Sequence, residues 1–415
     1  MTQLLRLQSA TTPTGDVVDI TVNSDTGLIS AIDQPGSTHT NDASVLEMNG
    51  YIVSSGLVEP HAHLDKAFLA DRVHNPEGDL MGAIVGLEAI RSTITFDDIV
   101  ERATRAAVTL SRNGVTSIRT HADVTLTGGL APLLALLETK RRCASFIDIQ
   151  VAMLLEWPLT GTGSEQRHAL ARDAIAAGAE VVGGCPHLDD DPIGAVAFLL
   201  TLAEEHNLPL DLHADENLRP SSQDLLHVAS LALERKPSIA INASHCVSLS
   251  VHTPEDARRI ADKVAEANIS VTVLPQTNLF LQSRDNSTHK ARAIAPVDIL
   301  RQAGVLVAAG ADNVQDPFNP VGRIDPLETA SLLVMAAHQT TAHAFDMVTH
   351  NASTVVHGTH NQLKVGHRAD LVAVRATNIR EAIAMGPADR IVIKNGRIVA
   401  LSDYAKALNS DSAKN

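Results

Sequence analysis

Short apolar runs alternate with amphipathic stretches through the middle of the chain. Tyr51–Ser54, Thr116–Thr120, Phe146–Met153, Val181–Gly183, Leu208–Leu212, Ile239–Ala243, Ile269–Leu274 and Val305–Ala309 have the length and composition of buried strands. Between several of them, apolar residues recur at helical spacing: Ile99–Arg112, Arg167–Ala177, Ala195–His206, Pro254–Ala267 and Pro296–Ala303. Asn113-Gly114, Gly178, Asn207 and Gly304 supply the helix stops. Eight strand–helix units in a row predict an α/β protein built on a closed (β/α)8 (TIM) barrel, whose functional groups gather at the strands' C-terminal ends. A doubly wound open sheet is the competing architecture, but no G-x-G-x-x-G follows the first strand.

The two ends of the chain follow a different pattern. Val17–Val22 alternates in part, Asn23, Asp25 and Gly27 mark a turn, and Leu28–Ile32 is a second short run. Near the other end come Asp370–Val374 and Arg390–Val399, with Asn395-Gly396 as a two-residue hairpin signal. These runs predict a small β-sandwich from residues 1–55 and 360–415, beside a barrel of residues 56–359, with a polar tail from Asn409.

Composition narrows the function classes. The 415 residues carry a net charge of −15 and only 2% aromatic side chains, so a basic surface with stacking rings, as nucleic acid requires, is not available. No apolar stretch reaches membrane-spanning length, and Leu4-Leu5 gives way at once to Arg6, unlike a signal peptide. Three scattered cysteines, Cys143, Cys185 and Cys246, form neither a disulfide framework nor a C-x-x-C zinc site. The expectation is a soluble cytoplasmic protein with no nucleic-acid or membrane partner. The 19 histidines are the feature that points to chemistry.

Polar residues follow most of the apolar runs. Pro60-His61-Ala62-His63-Leu64-Asp65-Lys66 follows the first, and histidines two apart on an extended chain face the same way, within reach of one metal ion. Arg119-Thr120-His121-Ala122-Asp123 follows the second run, Pro186-His187-Leu188 the fourth and His213-Ala214-Asp215-Glu216 the fifth. Ser244-His245-Cys246 follows the sixth and Ala311-Asp312-Asn313 the eighth. Packing does not explain polar groups recurring at one end of successive strands; a metal site at the barrel mouth does. His121 and His187 are open to structural or substrate-facing readings, and Asp65 with Lys66 to an ion pair or a substrate contact. Asp189-Asp190-Asp191 reads most simply as a solvated acidic loop.

These residues resemble the amidohydrolase superfamily and, within it, the cytosine deaminase group. The resemblance rests on Gly56-Leu57-Val58-Glu59-Pro60-His61-Ala62-His63-Leu64-Asp65, His213-Ala214-Asp215-Glu216, Ser244-His245 and Asp312. Gly366, Asp370-Leu371-Val372 and Asn395-Gly396-Arg397 match the superfamily's closing strands, so it spans roughly residues 15 to 400. It implies that His61, His63, His213 and Asp312 bind one divalent metal, zinc or iron, leaving a position at which water is activated. Binuclear relatives carry a bridging lysine at the end of strand four, where this chain has Gly183-Gly184-Cys185, so one ion is expected. The resemblance further implies three catalytic roles. Glu216 would move a proton from the water to a ring nitrogen, His245 would orient and support the hydroxide, and Asp312 would pass the second proton to departing ammonia. It also implies a homo-oligomer.

Two positions depart from the group. Glu156 stands where its members carry a glutamine that reads the ring's edge, and an ionised glutamate only accepts hydrogen bonds. Asn313 replaces the aspartate after the metal-binding aspartate. Asp316-Pro317-Phe318-Asn319-Pro320 matches a loop with an aromatic beside the pocket, and with so few rings Phe318 and Trp157 are the available stacking partners. Glu156, Asn313, Phe318 and His187 are therefore expected to face the substrate. The reading is a metal-dependent hydrolytic deaminase of a small N-heterocycle resembling cytosine. The alternatives are an amidohydrolase that removes an alkylamine from a triazine-like ring or opens a cyclic amide, and a non-catalytic metal-binding relative.

Overall fold

A computed structural model describes residues 3–37 and 43–401. Eight parallel strands pair in chain order: β1 (Leu57–Ala62), β2 (Val115–Val124), β3 (Asp148–Leu155), β4 (Val182–Gly184), β5 (Leu210–Ala214), β6 (Ile241–His245), β7 (Ser270–Val273) and β8 (Val307–Ala309). The sheet closes where Ala62 pairs in parallel with Asp312, three residues beyond β8. The result is the (β/α)8 barrel that the alternation predicts. Its strands are buried on both faces, as parallel strands are when helices cover the outside.

The covering helices are started and stopped by local chemistry. In α2 (Phe96–Arg112), the Thr95 hydroxyl accepts from the Asp98 N–H, and Asp97 and Asp98 sit in the positively polarised first turn. Ile99, Val100, Ala103, Ala106, Ala107 and Leu110 then repeat at helical spacing and bury against the sheet. Gly114, at φ +92°, lets the chain turn into β2. Losing a cap such as Thr95 costs about 1 kcal/mol.

One predicted barrel strand belongs elsewhere. Tyr51–Ser55 pairs antiparallel with Leu371–Arg375 in a second sheet, and the first barrel strand is Leu57–Ala62. The two are separated by Gly56 alone, and a Cβ there would lie 2.3 Å from the Thr116 hydroxyl. A side chain is impossible at that crossing, so the glycine lets one extended run serve two sheets. Both flanking segments are wholly buried, but Glu59, Pro60 and His61 interrupt Leu57–Ala62, which is why the sequence pattern places the strand at Tyr51–Ser54 instead.

The second sheet takes strands from both ends of the chain. Leu4–Thr11 pairs with Val17–Asn23, Ala43–Glu47 and Tyr51–Ser55; the last continues through Leu371–Arg375 and Arg390–Lys394 to Arg397–Leu401. Leu4–Thr11 is bulged near Ser9, whose φ is +57°, and the bent sheet folds over a core of Leu7, Ile20, Val22, Met48, Val53, Leu371, Ile391 and Ile393. Asn395 and Gly396 both have positive φ in the hairpin turn, as the dipeptide predicts. The polar tail from Asn409 lies outside the described residues.

Helix α1 (Leu80–Ile90), inserted between β1 and α2, is absent from the sequence reading. Its mixed face gives weak periodicity: Ala83 and Leu87 are buried while Met81 and Val85 are exposed. Among the described residues, no helix is long and apolar enough to cross a membrane.

Candidate metal and catalytic site

Four side chains from three places on the barrel rim converge above its centre. The Nε2 atom of His213, on β5, lies 3.1 Å from Nε2 of both His61 and His63. Oδ1 of Asp312 lies 3.2 Å from Nε2 of His63 and 3.7 Å from Nε2 of His61. All four residues are at least 95% buried. Burial, together with the neighbouring rings, holds His61 and His213 well below the usual imidazole range, and His63 falls to about 3. Neutral imidazoles have no hydrogen bond to offer one another when their lone pairs meet; a cation between them satisfies all four at once. Zinc with nitrogen ligands at about 2.1 Å in a tetrahedron places the ligand atoms about 3.4 Å apart, which these separations bracket. The donor set therefore fits a divalent metal ion.

The layer beneath fixes the ligands. His61 donates from Nδ1 to Ser244 Oγ at 2.9 Å, and Ser244 donates to Asp211 Oδ1 at 3.0 Å, so Nε2 keeps its lone pair for a metal. Asp211 also receives Arg119 Nη1 at 2.7 Å and Asn242 Nδ2 at 2.8 Å. This buried ion pair occupies the barrel interior where a packed apolar layer is the alternative. His187 donates from Nδ1 to the carbonyl of His213 at 3.0 Å, bracing the backbone of that ligand.

The catalytic candidates stand around the same point. Nδ1 of His245 lies 3.5 Å from Glu216 Oε1, and its Nε2 lies 4.0 Å from Asp312 Oδ2. His245, the last residue of β6, and Asp312, three residues beyond β8, stand at φ +68° and +69°, a left-handed conformation that is costly for residues with a Cβ and recurs at functional sites. Glu216 is held by its neighbour: Asp215 accepts from Ser222 Oγ and from the Asp224 and Leu225 N–H groups, tying the loop after β5 to α6 (Asp224–Arg235). Burial and then the Asp312 charge push the Glu216 carboxyl well above its ordinary range, and burial brings Asp312 up to about 6. A carboxyl group that holds its proton more tightly than usual beside a reacting centre is suited to proton transfer.

These groups open into a cavity at the barrel mouth. Leu80, Ile84 and Leu87 of α1 wall one side, and Leu154, Leu155, Trp157, Leu188 and Phe318 supply further apolar surface. Glu156, Asn313 and Phe318 line it as expected, as does Trp157, whereas His187 does not; Cys185 and Leu188 hold that wall instead. His121 is wholly buried against the His61 ring, with centroids 4.2 Å apart, and is also absent from the lining. Glu156 is not a free carboxylate: Oε1 lies 2.9 Å from Nε of Arg167. Asn313 accepts from Thr277 Oγ1 and donates to Asp316 Oδ2, both at 2.9 Å, so it supports the rim as much as it faces the cavity.

The sequence reading leaves the charged wall unresolved. Lys66 Nζ lies 2.5 Å from Asp123 Oδ1, 3.6 Å from Asp65 Oδ1 and 3.3 Å from His63 Nδ1, and Arg91 reaches Asp123 Oδ2 at 3.2 Å. The Asp65–Lys66 pair is thus one edge of a network on the cavity wall. Asp123 follows His121 on β2 and is visible as a strand-end polar residue; Arg91 closes the unrecognised α1 and carries no such signal.

Comparison with known proteins agrees with this geometry. The model of the amidohydrolase family matches residues 71–400. A pterin deaminase from Rhizobium rhizogenes is 28% identical over 418 residues, covering 96% of this chain and 94% of the relative. The solved structure of 5-methylcytosine deaminase from Klebsiella pneumoniae, liganded with 5-fluorocytosine, superposes with a TM-score of 0.88 at 27% identity, over 97% of this chain and 98% of that one. N-isopropylammelide isopropylaminohydrolase from Burkholderia multivorans gives 0.81 at 28% identity, over 96% and 98%.

Proposed function

The chain belongs to the amidohydrolase family, and from that premise we propose that it is a metal-dependent hydrolytic deaminase of an aminopyrimidine-type ring. It is a hydrolase acting on C–N bonds. The observation that carries the finer reading is the placement of Glu216, buried, beside His245 and Asp312 at the edge of the three-histidine, one-aspartate cluster.

His61, His63, His213 and Asp312 would hold one divalent ion, zinc or iron. When bound, it lowers the pKa of water so that a nucleophile is available near neutral pH. Glu216 takes the first proton of the attacking water and delivers it to a ring nitrogen, which makes the adjacent amino-bearing carbon electrophilic. His245 holds the attacking oxygen through Nε2, its own proton being kept on Nδ1. Asp312 takes the second proton from that oxygen and delivers it to the departing amine, so that a carbonyl and ammonia result. The leucine-rich walls exclude water from the reacting carbon.

Phe318 and Trp157 are available to stack on a planar ligand. A fused bicyclic aminopyrimidine, as in the substrate that names the pterin deaminase, is favoured over cytosine on the strength of that relative's match over 96% of this chain. Glu156, on the cavity wall and paired with Arg167, presents a carboxylate acceptor to the ring's outer edge. A screen of cytosine, pterin and N-alkylaminotriazines with metal-loaded enzyme tests the reading. Ammonia released fastest from the fused ring supports it; an alkylamine as the sole product replaces it with N-dealkylation.

A further inference from the structure

The barrel is weakest where it closes. On one side β1 pairs along its length with β2, but toward β8 the described bridge is the single pair Ala62–Asp312. Lower down, the two strands part: the Val58 N–H bonds to the Val348 carbonyl, and Val58 and Ala308 pack against Ala352, Val355 and Val356 of the helix His350–His357, wedged at the gap. The ligands His61 and Asp312 stand immediately above that wedge, on opposite sides of the seam.

Glu59 lies across it. The side chain is 1% exposed, and its described hydrogen bonds come from backbone N–H groups rather than from a cation. Oε1 accepts from His61 N at 3.2 Å, and Oε1 and Oε2 accept from Ala311 N at 3.1 and 3.0 Å. One donor belongs to a metal ligand on β1, and the other to the residue before the metal ligand that follows β8. Room for the carboxylate is made by Gly310, where a Cβ would come within 2.3 Å of Oε1. A buried carboxyl group is costly to desolvate, and stability alone would be served more cheaply by an apolar side chain.

We propose that Glu59 is a positioning residue for the metal, clamping the β1–β8 seam so that His61 and Asp312 stay at the spacing a single ion requires. The inference rests on the metal site and not on the identity of the substrate. Glu59→Gln keeps the shape but turns an N–H donor toward donors, and Gly310→Ala displaces the carboxylate without removing it.

The test is zinc affinity, measured by competition with a chromophoric chelator, alongside the melting temperature of the metal-free protein. Both variants are expected to lose about 10- to 100-fold in affinity, with circular dichroism and metal-free melting temperature close to the parent's. Should Glu59→Gln fail to fold, Gly310→Ala decides. Parental zinc affinity in a folded variant overturns the proposal, as does an affinity loss accompanied by a matching fall in metal-free stability. Because no substrate enters the measurement, a wrong substrate assignment leaves the result untouched.

Discussion

Nδ1 of His245 lies 3.1 Å from Oδ1 of Asn278, and this contact determines which nitrogen the ring turns to the site. A neutral imidazole carries one proton; given to Asn278, it leaves Nε2 with its lone pair toward Asp312. Burial already lowers His245 to about 4, so the ring is neutral at working pH. Asn278→Ala is expected to reduce kcat by about 10- to 100-fold, the range for removing a partner that orients a site histidine. Asn278→Asp is expected to raise the His245 pKa and move the acid limb of the kcat/KM profile upward. An unmoved profile in both variants would show that the contact does not orient the ring.

Glu216→Gln separates binding from chemistry. The amide cannot release a proton to the ring, so kcat should fall by about 10²- to 10⁴-fold. The metal content should remain that of the parent, since Glu216 is outside the ligand cluster. Metal analysis and single-turnover kinetics on the same preparation check both halves.

Metal affinity should depend on pH through Asp312. Binding needs the ionised carboxylate, and burial raises this group to about 6 in the metal-free protein. Below that pH a proton competes, so affinity should weaken about tenfold for each further unit of acidification. Above it, affinity should level off, because burial keeps His63 (about 3), His61 and His213 neutral throughout. A titration series from about pH 5 to pH 8 that lacks a bend near 6 contradicts the assignment.

Glu156 should act on binding rather than on turnover. It lines the cavity, and its carboxylate is paired with Arg167. Glu156→Ala is expected to raise KM about tenfold, the scale of one charge-assisted hydrogen bond, with kcat little changed. Unchanged KM would confine the residue to holding Arg167.

The buried pair under the site should matter for folding. Asp211→Ala leaves Arg119 uncompensated at 2% exposure, a change that costs about 3–5 kcal/mol. Denaturant unfolding of metal-free protein measures it, and a loss below about 1 kcal/mol would mean that water or another acceptor takes over.

Much of this site is legible in the sequence because a parallel barrel puts its chemistry at fixed places. His213, His245 and Asp312 each stand at or just beyond the end of an apolar run, and His61-Ala62-His63 needs only the two-residue period of a strand to bring its rings together. The same logic fails at the junction of the two sheets: the apolar run Tyr51–Ser54 reads as the first barrel strand, whereas Leu57–Ala62, interrupted by Glu59, Pro60 and His61, takes that place beyond Gly56. It also fails for contacts set by tertiary packing. Nothing near Glu156 in the chain announces Arg167, eleven residues on. The nearly uniform apolar and glycine residues of Leu80–Ile90, with Glu88 as the one charged position, give no helical periodicity and hide a helix that walls the cavity. His187 follows its strand just as the ligands do, yet it turns to the His213 carbonyl instead of the cavity.

The central claim is that one metal site, served by Glu216, releases ammonia from an aminopyrimidine ring. The most direct measurement is the rate of ammonia release from pterin as metal is added stepwise to metal-free protein, in parent and Glu216→Gln at equal metal content. The account predicts activity rising to a plateau at one ion per chain in the parent and near-absent turnover in the variant. Equal rates in the two proteins, or undiminished ammonia release without metal, would contradict it.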